Sequence, residues 1–155
     1  MDATIIVMRP EALRWSGLLI LAAAGTAACV GLGPNEEDTI TLWEAELVAE
    51  FAYPGLSGQA AAISRVGGTD IGIGIDGAEP EGAHAWGVRL GTCASPSQQI
   101  GADSDYLELV ANAEGSASAE THLAPRLSSE NTYNVEVRES STDGARMACG
   151  DLVRR

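Results

Sequence analysis

Lysine is absent from this sequence, and arginine supplies all nine of its basic residues. The 22 acidic residues outnumber them, which gives a net charge of −13 at pH 7. A chain this acidic repels the phosphate backbone of DNA and RNA, so we expect no nucleic-acid partner. The charge predicts instead a well-hydrated acidic surface.

Bulky and metal-binding side chains are also scarce. The chain has one phenylalanine, two histidines and three cysteines among 155 residues. Alanine is the commonest residue in its apolar fraction of 45%, which predicts one domain with a thin core of small side chains. A copper centre that changes oxidation state needs several imidazole ligands, and two histidines supply too few of them.

The N-terminus resembles a bacterial secretion signal. Arg9 and Arg14 precede an apolar run at 15–28 that is too short for a comfortable membrane span. Small residues then lead into Cys29, as in bacterial lipoproteins, whose cysteine is lipidated and becomes the mature N-terminus. Thr26 departs from that pattern, which prefers leucine three residues before the cysteine. The alternative is an ordinary cleaved signal followed by an incidental cysteine.

We therefore divide the chain into a lipoprotein-type signal peptide at 1–28, a polar tether at 29–39 and a β domain at 40–155. The lipid on Cys29 is expected to hold the exported domain at a bacterial membrane, where it faces the periplasm or the cell surface. The membrane is the partner that the sequence predicts.

Cysteine usage agrees with export, because disulfides persist in an oxidising compartment. Assigning Cys29 to the lipid leaves Cys93 and Cys149, and two cysteines allow one bridge. Such a bridge ties the last strand of the chain to its middle.

The domain alternates between apolar and polar residues and has no segment of helical period. Ile71, Ile73 and Ile75 alternate with glycine and are predicted to face the core. The segment 94–105 is interpreted as a long polar connection. About eight short strands at even spacing predict an all-β fold, an antiparallel Greek-key sandwich or flattened barrel. The predicted strands begin near Ile40 and then cover 59–66, 69–76, 83–90, 106–110, 116–123, 132–139 and 147–153.

Three segments carry a resemblance to a known family. The chain reads HAWGVRLGTC at 84–93, YNVEVRES at 133–140 and GARMACGD at 144–151. These segments resemble the copper–zinc superoxide dismutase-like domain, especially its short bacterial lipoprotein members. In those proteins a histidine-rich fourth strand leads into Gly-Thr-Cys, and the chain closes with Ala-Cys-Gly-Asp. The resemblance implies the eight-stranded superoxide dismutase-like fold over roughly 42–153.

The resemblance also identifies the metal ligands that this chain lacks. The paired copper histidines of the family fall on Gly87 and Arg89, and the copper histidine of strand seven falls on Arg138. The segment 94–105, where zinc ligands would lie, contains no histidine. Arginine stays protonated and offers a metal no lone pair, so we predict that the domain has no copper or zinc cofactor.

The arginines admit two interpretations. Arg146 matches the arginine that, in the enzymes, draws the superoxide anion toward copper. Together with Arg89 and Arg138 it would form a pocket for a carboxylate or phosphate. The alternative, which we favour, is that these arginines pair with Glu136, Glu139 and other carboxylates of the domain.

Three functions remain open. The first is an exported lipoprotein that serves as a non-catalytic structural or binding module, and we favour it because so few ligands remain. The second is a superoxide dismutase or metal-binding protein with an altered copper site. Its only histidines, His84 and His122, are weak metal candidates, since nothing in the sequence brings them together. The third is a small-anion binder that uses the arginine cluster.

Overall fold

The structure is a computed structural model that describes residues 39–140 and 144–155. From Pro34 to Arg155 the chain forms one compact unit. The predicted signal peptide at 1–28, the predicted lipidation site Cys29 and all but the last residue of the tether lie outside the described residues. Within the described part of the chain, no helix is long and apolar enough to cross a membrane.

The described chain is built from β-strands, so the all-β prediction is confirmed. One short 3-10 turn at Asp103–Asp105 accompanies them. The nine strands are β1 (Thr41–Ala49), β2 (Ser57–Arg65), β3 (Gly68–Asp76), β4 (Ala83–Thr92), β5 (Ser95–Gln99), β6 (Leu109–Val110), β7 (Ala117–Leu123), β8 (Tyr133–Arg138) and β9 (Arg146–Arg154).

Eight of these strands form one antiparallel sheet in the order β5-β4-β8-β9-β1-β2-β3-β7, while β6 pairs with β4. Chain neighbours pair from β1 through β3, at β4–β5 and at β8–β9. The sheet surrounds a single apolar cluster, so the predicted antiparallel sandwich or barrel is confirmed at this level. The last strand, β9, lies between β8 and β1 and is therefore an interior strand of the sheet.

The core follows the alternation of the strands. Ile71, Ile73 and Ile75 are buried, as predicted, with no more than 4% of each side chain exposed. In β1, Leu42 faces outward and is 47% exposed. The buried face of β1 includes Trp43, whose ring meets another core aromatic edge-on at 5.6 Å between centroids. This inward tryptophan sets which face of β1 is buried.

One strand was not predicted. The segment 94–105, interpreted as a connection, contains β5 at Ser95–Gln99, which runs along the outer edge of β4. All five residues of β5 are exposed or half-buried, so the strand lacks the apolar alternation that identifies half-buried strands. Conversely, the strand predicted at 106–110 is reduced to Leu109–Val110.

The predicted disulfide is present between Cys93 and Cys149, with Cα atoms 5.8 Å apart. It links the loop that follows β4 to the middle of β9. Two further contacts support this loop: the Cys93 amide donates to Asp151 Oδ1 at 2.6 Å, and Arg146 Nη1 donates to the Cys93 carbonyl at 2.7 Å. The bond and these contacts hold the β4–β5 turn against the last strand.

Removing the disulfide is predicted to destabilise the domain substantially. The bond closes a loop of 56 residues, and loop-closure entropy gives about 4 kcal/mol for that length. Urea unfolding of the domain that begins at Pro34, with and without reductant, measures the loss. Cys93→Ala with Cys149→Ala should match the reduced wild type, and a loss below about 1 kcal/mol in both would contradict the prediction.

Tyr106 packs beneath β4. Its hydroxyl donates to the Ile100 carbonyl and accepts from the Val88 amide at 3.2 Å. Its ring lies edge-on to Trp86, with centroids 5.0 Å apart. Burial is the main cause that raises the pKa of Tyr106 to about 12.

Alkaline pH is therefore predicted to destabilise the fold through Tyr106. Between pH 10 and pH 12 the unfolded tyrosine is ionised while the folded one keeps its proton. The unfolded state then binds fewer protons, so the free energy of unfolding falls as pH rises through this window. Urea unfolding at several alkaline pH values should show a shallower fall for Tyr106→Phe than for wild type; equal slopes would exclude this role.

Candidate functional site

Strands β4 and β8 bring three charged side chains onto one face of the sheet. The register pairs Gly87 with Glu136, and the two strands place Arg89 and Arg138 at flanking positions of the same face. Alternation along β8 sends Val135 to the opposite, apolar face. The three positions that the resemblance assigns to copper ligands therefore surround Glu136.

Glu136 is the centre of this cluster. Its Oε1 accepts from Nε of Arg138 at 2.8 Å and also from Nε of Arg89. Only 2% of Glu136 is exposed, against 19% and 22% of the two arginine side chains. A buried carboxylate needs such partners to remain charged. The chain's own carboxylate thus occupies the place between the arginines that an external anion would take.

The same arginines also bind backbone carbonyls. Arg89 Nη1 donates to Ser97 at 3.2 Å, and Arg138 Nη1 donates to Gly144 at 2.8 Å. These bonds attach β5 and the segment before β9 to the cluster. Glu136 Oε2 is buried and has no hydrogen-bond partner among the described residues. The cluster therefore works as a junction between strands, and the prediction that these arginines pair with Glu136 agrees with the geometry.

Arg146 does not join this cluster. Its Nη2 lies 2.6 Å from Glu50 Oε1, and its Nη1 binds the Cys93 carbonyl. The register of β8 and β9 places Arg146 beside Arg138, but the Arg146 guanidinium is engaged by Glu50 and by the disulfide loop, so it makes no ion pair with Glu136.

Gly87 lies under the unpredicted strand β5. A Cβ atom built on Gly87 would lie 2.8 Å from Gln99 Oε1 and 3.3 Å from Gln99 Cδ. The Gln99 amide in turn donates to Asp103 Oδ1 at 2.7 Å. A side chain at position 87 would have to displace the end of this glutamine side chain, and glycine itself offers no side-chain ligand to a metal.

The two histidines lie apart. His84 is 6% exposed, and its Nδ1 lies 2.9 Å from the Glu139 carbonyl, while its buried Nε2 has no partner in the described residues. His122 is exposed and lies 2.7 Å from Asp70 Oδ1. This contact, followed by the charge of Arg65, holds the pKa of the Asp70 carboxyl below its usual range.

The described residues do not fit a metal centre. Across 39–140 and 144–155, no group of three or more histidine, cysteine, aspartate or glutamate side chains is arranged to hold a metal ion. At the positions that the family uses for copper, the structure has one glycine and two protonated arginines, which repel a cation.

Sequence reasoning missed a groove beside the first residues of β4. It measures about 410 Å³ and lies between the turn after β1 and the loop after β3. Tyr53, His84, Glu139 and Met147 are among its lining residues. The Tyr53 hydroxyl donates to the Glu139 carboxylate, and this bond raises the pKa of Tyr53. Nothing in the sequence signals this groove, because its residues come from five separate segments.

Comparison with known proteins adds no identification: no protein-family model and no curated protein matches the chain. The family resemblance therefore rests on the three segments at 84–93, 133–140 and 144–151, and it continues below as a proposal.

Glu136→Gln is predicted to destabilise the domain by about 3 kcal/mol, because it leaves two half-buried arginines without a counter-charge. Urea unfolding measures the change. Glu120→Gln is the matched control, since Glu120 is an exposed glutamate on β7 and should change stability by less than about 0.5 kcal/mol. Equal effects of the two substitutions would contradict a structural role for the cluster.

Proposed function

We propose that this protein is an exported lipoprotein whose superoxide dismutase-like β domain serves as a non-catalytic structural or binding module at the cell envelope. The observation that carries the proposal is the ion cluster of Arg89, Glu136 and Arg138. It occupies the positions at which the resembling enzymes bind copper, and it holds the strands together there.

Two features of the fold support the family resemblance. The segments at 84–93 and 133–140 become the neighbouring strands β4 and β8, so the aligned ligand positions share one face. The disulfide joins Cys93 and Cys149. These are the cysteines of the Gly-Thr-Cys and Ala-Cys-Gly-Asp motifs on which the resemblance depends. A disulfide in a small domain also supports export, because reducing compartments seldom preserve one.

An enzyme with an altered copper site is less well supported. Superoxide dismutation requires a metal that accepts and returns an electron, and nitrogen ligands with lone pairs must hold it in both states. The guanidinium groups of Arg89 and Arg138 have none, and their charge repels a cation. His84 uses Nδ1 for a backbone contact, and His122 pairs with an exposed aspartate.

A small-anion binder is also less well supported. Arg89 and Arg138 already share the buried carboxylate of Glu136, and Arg146 contacts Glu50. An external carboxylate or phosphate would have to displace the carboxylate of Glu136. Glu136 is part of the chain and loses no translational freedom when it pairs with the arginines, whereas a free anion does.

Metal analysis combined with a dismutase assay tests the proposal. The domain that begins at Pro34 is incubated with copper and zinc, desalted, and assayed for bound metal and for superoxide decay. We expect well below one metal per chain and no decay above the protein-free control. Stoichiometric copper with dismutase activity would overturn the non-catalytic assignment and favour the altered enzyme.

A thermal-shift series with phosphate, sulfate and acetate tests whether the protein is a small-anion binder. No anion is expected to stabilise the wild type more than it stabilises Arg89→Ala with Arg138→Ala. A stabilisation that is specific to the wild type would favour the anion binder.

A further inference from the structure

One end of the domain differs from the rest in charge. We call it the entry end, because the chain enters it at Thr39; it contains the start of β1, the β2–β3 turn and the ends of β7 and β9. The register places Thr41 beside Ser64, Trp43 beside Arg154 and Thr69 beside Leu123. The opposite end lies one strand length away, roughly 30 Å for the nine residues of β1.

The exposed arginines of the described chain all lie at the entry end. Seven arginines are described, and three of them are the partly buried residues discussed above. Arg65 and Arg155 are 50% and 62% exposed, and Arg126 and Arg154 are also exposed. Arg126 Nη2 donates to the Thr39 carbonyl, and the Arg155 amide donates to the Leu42 carbonyl, so both mark the point where the chain enters.

Exposed apolar side chains gather at the same end. Leu42 and Ile63 are direct cross-strand partners on the outer face, 47% and 41% exposed. Together with three neighbours they make up five of the nine large hydrophobic side chains that the described chain exposes. The three neighbours are Ile40, Val66 and Val153.

The opposite end is acidic. Six carboxylates lie in the turns and strand ends there, and the described arginines nearest to them, Arg138 and Arg146, already bind Glu136 and Glu50. At the entry end, Arg65 and Arg155 pair with Asp70 and Glu44, and Glu130 lies in the loop that carries Arg126. The exposed arginines of the described chain are thus confined to one end of the strands, where carboxylates offset most of their charge. The six carboxylates are Glu50, Asp76, Glu79, Glu81, Glu114 and Glu139.

We propose that the entry end is a docking surface for a bilayer that carries anionic lipid headgroups. Arginine beside exposed aliphatic side chains suits such a surface, because the guanidinium binds phosphate while the apolar groups enter the interface. The acidic opposite end is repelled by the same lipids and points away from them. The strands of the docked domain therefore stand roughly perpendicular to the membrane surface. The end that carries the groove faces away from the bilayer.

This inference rests on the proposed membrane attachment for its setting. The tether at 29–39 has eleven residues and reaches at most about 40 Å, so a lipid on Cys29 keeps the entry end within about that distance of the bilayer. Docking at the entry end then needs only weak affinity, since the anchor raises the local concentration of lipid.

Vesicle sedimentation tests the docking surface without the lipid anchor. The domain that begins at Pro34 lacks Cys29 but keeps Glu36, Glu37 and Asp38 of the tether, so their repulsion is included. It is mixed at low salt with vesicles of equal parts phosphatidylcholine and phosphatidylglycerol, or of phosphatidylcholine alone. We expect binding to the anionic vesicles that weakens as salt is added. No binding at low salt would overturn the proposal.

Paired substitutions locate the surface. Arg65→Gln with Arg154→Gln lowers the net charge by two and should reduce partitioning by roughly 10- to 30-fold, since each basic residue near anionic lipid contributes about fivefold. Ala52→Glu with Ala113→Glu lowers the charge equally at the opposite end and should change partitioning far less. Equal losses in the two variants would show that only net charge matters and would overturn the proposal.

A second pair addresses the apolar side chains. Leu42→Ser with Ile63→Ser should weaken vesicle binding, whereas Leu107→Ser with Val110→Ser, which are 69% and 63% exposed elsewhere, should not. If the wild type instead forms dimers in solution that only the first pair dissociates, the patch joins two copies of the chain and the membrane proposal is wrong. Mass spectrometry of Cys29 tests lipidation separately, so loss of the anchor and loss of the docking surface give different results.

Discussion

A buried negative charge constrains this fold. Glu136 is almost fully enclosed on an interior strand, and it remains there because two arginines from the same face share one of its oxygens. Each arginine extends to a backbone carbonyl of a different segment, so one carboxylate positions β4, β5, β8 and the approach to β9. Removing one partner of such a cluster leaves the others buried without compensation, which is why the face tolerates little change.

A copper site of the kind found in the resembling enzymes and the cluster of Arg89, Glu136 and Arg138 cannot both occupy this face of β4 and β8. A copper site needs uncharged nitrogen donors that converge on a cation, whereas this face presents cations that converge on an anion. Gly87 adds a steric reason, because Gln99 covers the space where a ligand side chain would begin. The features that match the proposed resemblance are the disulfide, the neighbouring strands and an arginine near the last cysteine.

Residues that alternate cleanly could be predicted from the sequence, and those set by tertiary packing could not. The isoleucines of β3 were expected in the core because they alternate with glycine at a period of two residues. The burial of Glu136 was not expected, since a charged residue in a short strand suggests a solvated face. Its partner Arg89 also binds the backbone of β5, whose polar sequence carries no strand signal. Missing β5 therefore also meant missing one of the segments that the cluster holds.

The interior position of β9 has a consequence for how the chain acquires its structure. The first and last strands are hydrogen-bonded partners, so the sheet has a gap at its centre until the final residues are synthesised. Contacts between such distant segments form slowly, because a long loop must close before they stabilise anything. The sheet of a nascent chain therefore stays incomplete until β9 is available. Such a delay in folding is compatible with the export that we propose, because a secretion channel passes an extended chain.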